Sequence, residues 1–169
     1  MRHLLKFLHT LGAIGMLGAM LCLLAVLALM ADPISDLTGY AAQRAVMNAI
    51  ASWLLLPSLG VTIVSGLLSM AVVKGYHNAG WAWLKLATGV VMFEGTLLAV
   101  QGPIEAEAQR VSGVVGQGGD VLALATTVSA EWWSLWILAG VAVVNVALGV
   151  WRPRFTRAAR GGSTHSSEQ

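Results

Sequence analysis

A chain of 169 residues that is 57% hydrophobic and only 11% charged, with a mean hydropathy of +0.74, lies far from the roughly 45–50% apolar, 25% charged make-up of soluble domains. Its 10 Lys+Arg and 8 Asp+Glu are separated by long uncharged stretches, which excludes a water-soluble globular fold and predicts a one-domain integral membrane protein whose first partner is the lipid bilayer. The net charge of +2 reflects a short basic tail, so no nucleic-acid partner is expected.

The predicted fold is all-α, a four-span transmembrane helix bundle over residues 1–151, with spans at about 4–31, 45–73, 81–102 and 131–151. Each reaches the ~20 residues that cross ~30 Å of hydrocarbon. The first apolar run is longer than the ~7–15 residues of a signal peptide's core, and a cut after Ala31 would leave Leu29 where a small residue is wanted. It is therefore expected to be retained. Steps of about 100° per residue bring His9, Met16 and Met20 onto one stripe of this helix. Imidazole and thioether are ligands for a heme iron or a copper ion. Equally, methionine fills core gaps, and a histidine near the interface can meet water or a carbonyl. Gly12, Gly15, Gly18 and Ala19 allow close helix approach. Cys22 lies inside the span and reads as a small packing residue.

In the second span Ser58, Thr62, Ser65 and Ser69 follow at spacings of four, three and four, a polar stripe that must face protein, water or a ligand. Interhelical hydrogen bonding is its simplest use. Pro57 removes a backbone donor and predicts a kink near midspan. The third span carries Lys85 and Glu94, nine residues apart and so about 180° around a helix. Lys85 either snorkels to water or binds an anionic group. Glu94 has no easy exit and is expected to stay neutral or to pair near Ser52, Asn48 or Arg44, as a structural hydrogen bond or a proton relay.

Beyond the third span, Pro103 followed by Ile-Glu-Ala-Glu-Ala-Gln-Arg reads as the start of a short outer-surface helix, with proline in the first turn and acids near the positive dipole end. A flexible turn over residues 113–119 is expected next. Residues 121–130 then either lie in the interface or extend the fourth span outward. Trp132, Trp133 and Trp136 belong at the outer interface and Trp151 at the inner one. Residues 152–169 form a basic tail without periodicity, expected to be disordered. Its His165 has no evident partner.

Lys/Arg asymmetry sets the orientation. Arg2, Lys6, Lys74, Arg152, Arg154, Arg157 and Arg160 share one side, whereas the opposite loops hold Arg44 and Arg110 among Asp32, Asp36, Glu105, Glu107, Asp120 and Glu131. Both termini are predicted to be cytoplasmic, in a multi-pass protein of the cell inner membrane.

Three segments carry a family resemblance. KFLHTLGAIGMLGA (residues 6–19) resembles the opening Lys-x-x-His helix of the HemJ-type protoporphyrinogen oxidases and of related small membrane proteins, among them CopD-like copper-resistance domains and domain families of unknown function. LLPSLGVTIVSGL (residues 55–67) is similar to their Pro-to-Gly second helix, through Pro57 and Gly66. WAWLKL (residues 81–86) is similar to their Trp-x-x-x-Lys third-helix start. The resemblance implies a bundle associated with heme b, in which His9 is an axial ligand and Lys85 lies near the porphyrin carboxylates. The chain lacks a Tyr-Leu-Pro-Arg-like segment after the first helix and a Tyr-His pair after the third-helix lysine. It is thus closer to a DUF-type member than to the oxidases.

The leading expectation is a small heme-associated or redox-accessory membrane protein. The alternatives are a non-enzymatic subunit or assembly helper, in a homo-oligomer or a larger membrane complex, and a copper-handling protein that uses His9, Met16 and Met20. No nucleophile with base, phosphate-binding loop, CxxC or HExxH motif is present, so hydrolase and nucleotide chemistry of the soluble kind have no support.

Overall fold

A computed structural model describes residues 2–72, 80–121, 124 and 128–151. The chain forms α1 (Arg2–Ala28), α2 (Leu37–Ile50), a first π turn (Ala51–Leu55), α3 (Leu56–Val72), α4 (Gly80–Thr96), a second π turn (Leu97–Gln101), α5 (Gly102–Gln117) and α6 (Val128–Trp151). Because the π turns join their neighbours without a break, four continuous helices result: His3–Ala28, Leu37–Val72, Ala82–Gln117 and Ala130–Trp151. All four are long and apolar enough to cross a membrane, as the hydropathy pattern predicts. The expected tail, residues 152–169, lies outside the described residues.

The two middle helices contain 36 residues each, about 54 Å of rise against a hydrocarbon core of about 30 Å. Their surplus projects at the end of the bundle opposite the termini, where α2 packs on α5. A second apolar cluster of Tyr40, Val111 and Leu124, flanked by Met30, Leu37 and Val114, fills this cap. The expected short outer helix is therefore no separate element but the extension of the third span. The expected turn over residues 113–119 also narrows, because α5 runs through Gln117 and the chain reverses at Gly118, whose φ of 72° suits glycine. Leu124 is buried in the cap rather than at a lipid interface.

Both π turns have one cause. Each begins six residues before a proline, Pro57 or Pro103, and each ends with a backbone N–H reaching back five residues, Leu56 to the Ala51 carbonyl and Gly102 to the Leu97 carbonyl. Proline cannot donate to the carbonyl four residues back, so the helix widens ahead of it instead of breaking. The kink predicted at Pro57 takes this form. Pro103 looks like a helix start because proline suits a first turn, yet here the preceding turn is a wide helical one.

The main core runs through the bundle from Met16, Ala19, Met20 and Leu23 of α1 to Leu55 and Leu59, Met92, Leu135 and Ala142. Gly12 sets the closeness of α1 and α3, since a Cβ there would stand 2.8 Å from the Ser58 carbonyl oxygen and 2.9 Å from the Thr62 nitrogen. Gln43 ties α1 to α2 by accepting from the Ala31 N–H at 2.6 Å and donating to the Leu29 carbonyl at 2.8 Å. Asp36 caps α2 through the Gly39 N–H at 2.8 Å.

Candidate functional site

Polar side chains collect at two ends of the bundle. At the end that carries the chain termini, His9 of α1 faces α3, and its Nδ1 lies 2.8 Å from the Thr62 carbonyl oxygen. A carbonyl only accepts, so Nδ1 carries a proton, and in the neutral ring Nε2 is then the nitrogen with the lone pair. Ser65 Oγ stands 3.4 Å from the same nitrogen. Gly66 lies against the ring, and a Cβ there would be 3.4 Å from His9 Cε1.

Of the α3 polar stripe, Thr62, Ser65 and Ser69 donate to carbonyls of their own helix, to Ser58 at 2.8 Å, Val61 at 2.6 Å and Ser65 at 2.7 Å. The expected interhelical bonding thus reduces to the contacts with His9, because a hydroxyl in lipid finds its nearest acceptor one turn back. Lys85 of α4 lies half-buried over Gly149 of α6, where a Cβ would come 2.6 Å from its Nζ. The structure therefore brings His9 and Lys85 to one end of the bundle.

It does not bring the methionines there. Met16 and Met20 are buried in the apolar core, and helix rise carries Met20 about 16 Å along α1 from His9. Among the described residues no three His, Cys, Asp or Glu side chains converge.

Glu94 does not form the pairing expected with Ser52, Asn48 or Arg44. It is exposed on the outer face of α4, with no hydrogen bond or ion pair among the described residues, while Met92 and Thr96 of the same helix are buried. The partners proposed for it are engaged elsewhere. Arg44 binds Glu131, and Ser52 accepts from Gln101 Nε2 at 3.0 Å and donates to Asn48 Oδ1 at 3.5 Å. The angular reading that sets Glu94 opposite Lys85 is consistent with this placement. The inward side, however, belongs to Lys85.

The second polar centre lies at the opposite end and was not singled out by sequence reasoning. Arg44 is fully buried, 0% exposed, and donates from Nη1 to Glu131 Oε2 at 2.6 Å. Its Nε donates to the Tyr40 hydroxyl at 3.0 Å, with the guanidinium carbon 5.1 Å from the ring centroid. The single proton of that hydroxyl is shared between Glu107 Oε1 and the Leu124 carbonyl, both at 3.3 Å. Glu107 Oε2 accepts from the exposed Arg110 at 2.8 Å. Arg44 counts as one more loop charge when charges alone are tallied. The available signal was the four-residue repeat Tyr40, Arg44, Asn48, Ser52, one polar stripe running inward along α2 into the first π turn.

The two centres differ chemically. The Arg44 network consists of charges neutralised by one another and ties α2, α5 and α6 together, which is structural work. His9 instead has its ring held in one orientation by the Thr62 carbonyl, which leaves Nε2 as the nitrogen that a neutral imidazole would turn to a metal. Comparison with known protein families, with curated proteins and with solved structures finds no match.

Proposed function

We propose that this chain is a small heme-associated, redox-accessory protein of the cell inner membrane, with His9 as axial ligand and Lys85 as the partner of a porphyrin carboxylate. The observation that supports this reading is the hydrogen bond from His9 Nδ1 to the Thr62 carbonyl. Iron-ligating imidazoles are commonly oriented in this way, by donating the other ring N–H to a carbonyl. The residues present fit the group: Nε2 is the donor, Gly66 leaves room beside the ring, and Gly149 leaves room for the Lys85 ammonium. A bound heme would supply reversible one-electron transfer. The protein's own part is to hold the tautomer through Thr62, to keep the ring from turning, and to offer one positive charge to a carboxylate at the membrane end.

The test is the visible spectrum of protein purified in detergent after expression with ample heme, oxidised and then reduced with dithionite. A Soret band that shifts on reduction, and that His9→Ala abolishes at unchanged expression, is the expected result, since a methyl group cannot ligate iron. A colourless wild type would overturn the reading, and stoichiometric copper in place of heme would replace it with metal handling.

A further inference from the structure

The lipid-facing surface of the four spans is apolar, with Ile14, Leu21, Val64, Leu67, Ile137 and Val143 all exposed. Glu94 interrupts it. Lys85 lies nine residues towards one end, about 14 Å away. Towards the other end, Gly95 packs on Leu138, which is seven residues, about 10 Å, inside Glu131. Glu94 therefore sits close to the middle of a hydrocarbon layer of about 30 Å. It is the one charged-type side chain exposed at that depth among the described residues. A carboxyl group facing acyl chains has nothing to bond to, and intramembrane carboxyls are almost always turned towards protein or water.

We propose that the outer face of α4 is a self-association surface on which Glu94 of one copy meets Glu94 of a second copy across a two-fold axis. Three features select this occupant. A neutral carboxylic acid carries one donor and one acceptor, so two of them across a dyad satisfy each other completely. The lipid-facing mid-membrane surface of the described residues carries no cation, so the ionisable group that a second copy brings to Glu94 at this depth is its own carboxyl. Finally, Ala87, Val91, Glu94 and Leu98 follow at spacings of four, three and four and are all exposed, a straight stripe with a small residue that admits a close helix crossing. The contact lies on the face of α4 away from the helix partners described above, so it stands or falls independently of heme binding.

Disulfide trapping in native membranes tests it. In a Cys22→Ser background, which removes the exposed native thiol, Val91→Cys and Leu98→Cys should each give cross-linked dimers under mild oxidation. Val144→Cys, exposed on α6, should give none. Adding Glu94→Leu, which favours insertion, should weaken dimerisation about tenfold, the scale of an interhelical hydrogen-bond pair in lipid. Glu94→Gln should retain it, since an amide also pairs with itself. Monomers at both positions, equal cross-linking through Val144→Cys, an unchanged dimer in Glu94→Leu, or a different protein cross-linked in place of the second copy would each overturn the proposal.

Discussion

Arg44 is the residue on which the end of the bundle opposite the termini depends. A guanidinium removed from water carries a desolvation cost of several kcal/mol, recovered only through paired charge and filled hydrogen-bond sites. Glu131 and Tyr40 provide the pairing, and Glu107 extends it to the surface through Arg110, while Arg44 Nη2 and Glu131 Oε1 stay buried without a hydrogen-bond partner among the described residues. Removing one partner leaves the other charge buried and alone. Arg44→Ala and Glu131→Ala should therefore each destabilise the protein by about 3–5 kcal/mol, read as a lower midpoint in detergent unfolding. Arg44→Met combined with Glu131→Leu should recover most of that loss, because an apolar pair of similar volume leaves no charge uncompensated. If the double variant is as unstable as the singles, side-chain packing around α2 and α5 rather than charge pairing explains the cost. This centre was hard to read from sequence because its members lie 87 positions apart and only a tertiary contact joins them. His9 was readable, since it is the one histidine within the spans predicted from sequence at 4–31, 45–73, 81–102 and 131–151.

At the scale of elements, the two π turns are the unit that sets the register of the polar side chains. Gln101 lies in the second turn and Ser52 in the first, and the bond of 3.0 Å between them joins the wide segments face to face. Because the Gln101 side chain spans much of the gap, a Ser52→Cys, Gln101→Cys pair in a Cys22→Ser background should be bridged efficiently by a short bifunctional thiol reagent. Pro103→Ala restores a donor to the carbonyl four residues back and favours the ordinary α-helical ladder, which turns Gln101 away and should lower the cross-link yield. An unchanged yield would mean that the wide turn is held by packing and not by the proline. Existence and type of all four spans were legible, because apolar length is a property of the sequence itself. The continuation of the third helix past Pro103 was not, since proline suits the first turn of a new helix and the turn after a π segment equally well. Glu94 shows the same division. Its opposition to Lys85 follows from 100° steps along one helix, whereas the side that faces the core depends on which neighbours α4 packs against.

For the whole molecule, the two ends are electrically unlike. The projecting cap of α2 and α5 carries Asp32, Asp36, Glu105 and Asp120 on its surface and buries Glu107 and Glu131, against Arg44 and Arg110. The opposite end holds Lys6 and Lys85, and in the sequence Arg152, Arg154, Arg157 and Arg160 follow the last helix. Lysine and arginine near short loops are retained on the cytoplasmic side during insertion, while acidic residues weigh little. The cap is therefore expected to face outward, which leaves its buried ion pairs to assemble after the loops have crossed. A reporter active only outside the cytoplasm should be silent when fused after Arg160 and active when inserted between Gly118 and Gly119. That site is an exposed reversal beyond the last turn of α5, so an insert there leaves the helix pairing undisturbed. The reverse pattern would place Arg44 and Glu131 at the cytoplasmic end and put His9 and Lys85 near the outer face. In that case any carboxylate held by Lys85 would approach from outside, and the charge asymmetry would have to be overridden by the insertion order of the helices themselves.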